Sequence, residues 1–180
     1  MTDPFSQSDS LAGEIFSLLQ QKSARVVLAE SCTCGLIASL LARIPGMSAV
    51  LAGSFVVYQV DSKVSWLDVP QTLIDQYDVV SSEVAAAMAE GALRKTPHAT
   101  IAVSITGHLG PGAPVDLDGT AWLGIAQREL HVVPATVRTL TKKLALEAVP
   151  GLTPLQIRRD RQFAAALMAL QNLRTTLLES

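Results

Sequence analysis

Three clusters of small, polar and basic side chains stand where apolar runs of this sequence end. The first is Ala29-Glu30-Ser31-Cys32-Thr33-Cys34-Gly35, between an apolar run at 25–29 and an apolar stretch that stops at Pro45-Gly46. The second holds Tyr58, Asp61, Ser62 and Lys63. The third is Thr106-Gly107-His108-Leu109-Gly110-Pro111-Gly112. A serine at the turn that opens a helix is placed to act as a nucleophile. The free backbone N–H groups and the helix dipole favour an anion or a developing oxyanion there. The everyday role of Ser or Thr at such a turn is to cap the helix. Glycines in the third cluster let backbone N–H groups approach a phosphate or carboxylate closely, although glycine and proline are also ordinary turn residues.

The elements that must position these clusters are legible from patterning. Residues 25–29 are a short run rich in β-branched side chains and predict a buried strand; 35–44 predict a helix ended by Pro45-Gly46. Residues 1–8 read as a loose lead-in, after which Ser10 caps a helix with Leu11, Ile15, Leu18 and Leu19 on one face. A second strand is expected over 49–58, with a bulge at Gly53-Ser54. Short helical stretches follow at 61–67 and 71–76. Ser81 caps a longer helix with Glu83 in its first turn. Residues 99–105 predict a strand and 106–118 a loop. Strands at 120–126 and 132–140 are expected to be joined by a tight turn, with Pro134 marking an edge strand. A last helix covers about 153–178, with Phe163, Leu167, Leu170 and Leu177 on one face. This order predicts a three-layer α/β/α sandwich around a mixed, mostly parallel sheet. The three clusters then fall at the C-terminal ends of strands, where open α/β sheets bind ligands.

Composition narrows the classes. The 180 residues suit one domain, and a core poor in aromatics, at 4%, is built from Ala, Leu, Val and Ile. A formal net charge of −2 argues against a nucleic-acid footprint. No apolar run is long enough to span a bilayer, and the N-terminus lacks the pattern of a secretion signal, so neither a membrane nor export is expected. Cys32 and Cys34 are the only two cysteines and lie too close for an ordinary disulfide, which predicts a reduced, cytoplasmic chain. The three histidines are scattered and supply no second half of a metal site with them.

Taken in order, Ala29-Glu-Ser-Cys-Thr-x-Gly35, Pro45-Gly-x-Ser48, Tyr58-x-x-x-x-Lys63, Val80-Ser81 with Ala89-Glu-Gly91, and Thr106-Gly-x-x-Gly-Pro-Gly112 form a set. That set resembles the CinA C-terminal domain family, the nicotinamide-mononucleotide amidohydrolases, over residues 10–175. Longer members carry a further N-terminal domain, for which this chain leaves no room. The resemblance implies hydrolysis of the carboxamide of nicotinamide mononucleotide by a Ser/Lys pair, Ser31 and Lys63, with no cofactor. Serine needs a base to take its proton, and lysine is that base only when desolvation or a nearby positive end lowers its pKa. The N-terminus of the helix after Ser31 would do this and also hold the oxyanion, through N–H groups at 33–35. Thr33, Gly35, Ser48, Tyr58 and Thr106 match positions near the substrate, and Gly107, Gly110 and Gly112 would border the ribose phosphate. A homodimer and a role in pyridine nucleotide recycling are also implied.

The chain departs from the family pattern at three places. Cys34 replaces a glycine, and its Cβ argues against a positive φ there. His108-Leu109 and Ala113 alter the third loop. Pro154 stands where the family has an arginine opening the last helix; Arg158, Arg159 and Arg161 lie nearby, but such a run ordinarily forms a solvated helix face. Two alternatives follow: an impaired paralogue that binds a nucleotide-like ligand without turnover, and a hydrolase using His108 as base for Ser31 or Cys32 with Asp116 as orienter.

Overall fold

The structure is a computed structural model that describes residues 4–129 and 136–180. The first strand, β1 (Val26–Glu30), lies at the centre of the sheet and is buried along its whole length. Its neighbours are β2 (Leu51–Val56) and β3 (Ile101–His108), both parallel to it. Then β4 (Thr120–Glu129) and β5 (Thr136–Ala145) add antiparallel pairings, giving the order β2-β1-β3-β4-β5. Four of the five strands therefore point the same way, and β4 alone is reversed. The sheet is mixed and mostly parallel, as its sequence indicates.

Side-chain alternation on β1 divides the core in two. Val26 and Leu28 join Ile101, Val103 and Ile105 beneath α1 (Pro4–Gln21), α2 (Leu36–Ala42) and α6 (Pro154–Glu179). Val27, Ala29 and Ala102 pack on the other face against α3 (Val60–Leu67), α4 (Gln71–Tyr77) and α5 (Ser82–Lys95). The three layers are thus helices, sheet, helices. No helix among the described residues is long and apolar enough to cross a membrane.

Several boundaries differ from expectation for local reasons. The helix α1 begins at Pro4, so residues 4–8 are helical and Ser10 lies inside the helix instead of capping it; proline suits a first turn because its missing N–H has no partner to lose there. The strand β3 continues to His108 because Thr106, Gly107 and His108 pair with Trp122, Ala121 and Thr120 of β4. The long β4 draws β5 along to Ala145. Pro134 and the turn expected before it lie outside the described residues. Near the expected bulge, the register of β2 on β1 slips by one between Leu51 and Gly53. On α6 the most deeply buried face shares alanine (Ala165, Ala166 and Ala169) with leucine (Leu170, Leu173 and Leu177), while Phe163 and Leu167 are only partly covered.

The turn after β1 carries a conformational cost. Cys34 is exposed with φ 53°, in the left-handed region the sequence argued against, and Gly35 follows at φ 90°. A Cβ in that region is disfavoured by its clash with the following carbonyl. Cys34→Gly is therefore expected to raise stability by about 0.5–1 kcal/mol, the strain relieved exceeding the entropy that glycine adds to the unfolded chain. The midpoint of denaturant unfolding reads this directly.

Candidate active site

The nucleophile candidate is fixed from two sides. The Ser31 N–H donates to the Ile105 carbonyl at 3.0 Å, and the Ser31 carbonyl accepts from Cys34 N–H at 3.1 Å. Lys63 reaches it from α3. Its Nζ donates to Ser31 Oγ at 2.9 Å and to the Val57 carbonyl at 2.8 Å. Only 1% of Lys63 is exposed, which makes it one of the largest fully buried side chains in the molecule. Burial in a low-dielectric setting disfavours the ammonium and lowers the Lys63 pKa from 10.5 to about 8. The thiol beside it behaves oppositely: burial pushes Cys32 up to about 12, so it stands as a neutral, unreactive SH.

The free end of α2 was the sequence-based source of both the lowered lysine and the oxyanion hole. The structure corrects this. Glu30, the last residue of β1, is wholly buried and caps α2 itself. Its carboxylate accepts from Ile37 N–H at 3.0 Å, Ala38 N–H at 2.9 Å, Thr33 Oγ1 at 2.8 Å and Ser54 Oγ at 3.2 Å. The Leu36 N–H is bonded to the Thr33 carbonyl at 3.1 Å, and Cys34 N–H to Ser31 as above. The dipole end of α2 is thus already neutralised, and desolvation alone lowers Lys63.

Around Ser31 and Lys63 lies a cavity of about 280 Å³, walled by Tyr58, Thr106, Gly107, His108, the loop from Leu109 to Ala113, and Arg158. Of the residues singled out from the sequence, it brings together Ser31, Lys63, Tyr58, Thr106, Gly107, Gly110 and Gly112. Thr33, Gly35 and Ser48 are placed elsewhere. Thr33 serves Glu30, Gly35 provides the left-handed entry to α2, and Ser48 is exposed in a short 3-10 turn (Met47–Ala49). Thr106 donates to the Val79 carbonyl at 2.9 Å. Gly107 is required by close approach, since a Cβ there would lie 2.6 Å from the Ala121 Cβ. His108 faces the cavity, but Asp116 is not in its wall, and it is Lys63 that holds the Ser31 hydroxyl.

Of the arginine run on α6, Arg159 is exposed as a solvated face requires, but Arg158 and Arg161 turn inward. Arg158 enters the cavity wall, donating to Tyr58 Oη at 2.6 Å and to the Gly110 carbonyl at 2.9 Å. Arg161 is 5% exposed and pairs with Asp118 at 2.8 Å. Gln162 Nε2 donates to the Cys32 and Thr33 carbonyls at 3.3 and 3.2 Å, tying the turn after Ser31 to α6. The spacing of these three residues, i, i+3 and i+4, puts them on one helix face and was the available signal. Glu30 was signalled only by a carboxylate ending an otherwise apolar strand.

Comparisons with known proteins agree on one likeness. The CinA C-terminal domain matches residues 8–147. A protein of Streptococcus gordonii carrying the name competence-damage inducible protein is 34% identical over 177 residues, covering 98% of this chain and 38% of its own length. A similarly named protein of Lysinibacillus sphaericus is 44% identical over 122 residues, 66% of this chain and 28% of its own. The chain thus spans well under half the length of these curated relatives. Among solved structures, the competence/damage inducible protein CihA of Agrobacterium tumefaciens superposes with a TM-score of 0.80 at 31% identity, covering 94% of each chain. A CinA-superfamily protein of Klebsiella pneumoniae gives 0.83 at 22% identity, covering 96% of this chain and 99% of its own, a likeness of fold.

Proposed function

This chain belongs to the CinA C-terminal domain family, and from that premise we propose that it is an amidohydrolase converting nicotinamide mononucleotide to nicotinate mononucleotide and ammonia. The observation that carries the reading is the buried contact of 2.9 Å between Lys63 Nζ and Ser31 Oγ. With a pKa near 8, the neutral amine makes up about a tenth of Lys63 at pH 7, enough to supply a base without titrating the whole population.

In the forward step Ser31 Oγ attacks the carboxamide carbon and its proton passes to Lys63 Nζ. The Val57 carbonyl holds the resulting ammonium in place. The N–H of Cys32, which lines the cavity next to Ser31, is the donor assigned to the oxyanion. Lys63 returns the proton to the departing nitrogen, which leaves as ammonia and yields a Ser31 ester. Water, deprotonated by Lys63, then cleaves the ester. Arg158, which shares the cavity wall with Gly110 and Gly112, is assigned the phosphate. The product enters pyridine nucleotide recycling in the cytoplasm. Assembly as a homodimer belongs to the same reading, with the exposed Val137 and Leu140 on the sheet-edge strand β5 as surface to cover.

Ammonia release from nicotinamide mononucleotide, set beside nicotinamide riboside, tests the reading. The expected result is release from the nucleotide by the unaltered protein. In Arg158→Ala, KM for the nucleotide should rise about 10- to 100-fold, the loss of a charge-assisted pair, while the riboside changes little. No release above background, with the nucleotide still raising the unfolding temperature, would leave a binding protein in place of a hydrolase.

A further inference from the structure

We propose that Arg161 is a positioning residue: it closes the neck of the 109–118 loop and so sets the wall of the cavity. Its Nη1 reaches both ends of that loop, at 2.8 Å to the Asp118 carboxylate and 3.4 Å to the Leu109 carbonyl. The backbone leaves a berth for it. A Cβ on Gly110 would lie 2.6 Å from Arg161 Nη1 and also collide with Asp118, and one on Gly119 would lie 3.0 Å from Arg161 Nη2. Both glycines have positive φ, 56° and 75°, so the loop is bent around the guanidinium at two points. Below the neck, Gly119 N–H donates to the His108 carbonyl and Leu146 N–H to the Gly119 carbonyl, each at 2.8 Å, where β3, β4 and β5 meet.

The pairing is costly and therefore informative. Arg161 Nε is buried and has no partner, a cost that few buried side-chain polar atoms carry. Asp118 remains 36% exposed, so the ion pair is held at the base of the loop with one partner in water. What the arrangement secures is the stretch from Leu109 to Ala113, every residue of which faces the cavity. It also fixes the Gly110 carbonyl that Arg158 grips one turn earlier on α6. Arg161 touches neither Ser31 nor Lys63 through any hydrogen bond; it acts on the cavity through the loop.

The test compares Arg161→Met, Arg161→Lys and Asp118→Asn in the full chain by two readouts. Hydrogen exchange of the 109–119 amides is expected to accelerate at least about tenfold in Arg161→Met while the α5 amides keep their rates, with Arg161→Lys in between. On the amidohydrolase reading, KM for nicotinamide mononucleotide rises about tenfold and kcat changes less than about threefold, because the Ser31–Lys63 pair is untouched. Unchanged loop exchange in Arg161→Met overturns the proposal, as does a loss of kcat at constant KM. Should Arg161→Met not fold, Asp118→Asn carries the same exchange test from the exposed side, and unchanged loop rates there overturn it equally. The exchange arm stands without turnover, so a failure of the amidohydrolase reading and a failure of this one are told apart.

Discussion

Lys63→Met removes turnover and at the same time makes the protein harder to unfold. On the amidohydrolase reading, in which Lys63 is the general base, its loss is expected to lower kcat at least about a thousandfold, as for other nucleophile–base pairs. The gain in stability follows from the titration. In the unfolded chain the lysine has its ordinary value of 10.5, and in the fold about 8. Between those two values the unfolded chain binds more protons, so the stability of the unaltered protein rises with pH across that window. Below pH 8 the full penalty is present, at most about 3 kcal/mol from the gap between the two values. Methionine fills similar space without the charge, but it leaves the Val57 carbonyl without its donor. The net gain at pH 7 is expected to be about 1–2 kcal/mol. Denaturant titrations at pH 7 and pH 10 check the sign: the unaltered protein should gain stability over that interval relative to Lys63→Met. Equal pH dependence in the two proteins would show that Lys63 keeps its ordinary pKa. In the unaltered protein, kcat/KM should climb with pH to a plateau above about 8, following the neutral amine.

Glu30→Ala is expected to destabilise the fold by about 3–5 kcal/mol, among the larger effects open to a single substitution. The carboxylate satisfies two amides of α2 and the hydroxyls of Thr33 and Ser54. Glu30 and its neighbours Ala29 and Thr33 are almost wholly buried, so the donors it would leave lie away from bulk solvent. Glu30→Gln keeps one acceptor oxygen but turns an amide group toward donors, so an intermediate loss of about 1–3 kcal/mol is expected. Unfolding free energies of the three proteins measure both steps. A loss under about 1 kcal/mol in Glu30→Ala would mean that α2 has other means of ending itself.

The sheet was legible because its strands are short apolar runs between breakers. Arg25-Val-Val-Leu-Ala and Ala99 to Ile105 admit few other readings. Ser81 announced its helix by the capping pattern it keeps, accepting from Val84 N–H at 3.2 Å. The Ser31–Lys63 contact was reachable only through the family resemblance, since 32 residues and a strand separate the two. The role of Glu30 was not legible: a carboxylate beside a serine looks the same whether it faces water or caps a buried helix. The inward turn of Arg158 and Arg161 was hidden for a similar reason. Alternation of charge on a helix describes a solvated surface until a loop elsewhere in the chain supplies Asp118, Tyr58 and two carbonyls.

The placement of α6 also governs when the cavity exists at all. Ser31 and Lys63 are synthesised before Arg158, Arg161 and Gln162, which lie in the first half of α6. At about 5–20 residues per second, the 95 residues from Lys63 to Arg158 take roughly 5 to 20 s to add. Throughout that interval the nascent chain holds Ser31 and Lys63 but lacks the helix that ties down the Ser31 turn and supplies one wall of the cavity. Until α6 docks, the cavity lacks both the Arg158 wall and the tie that Gln162 makes to the Ser31 turn.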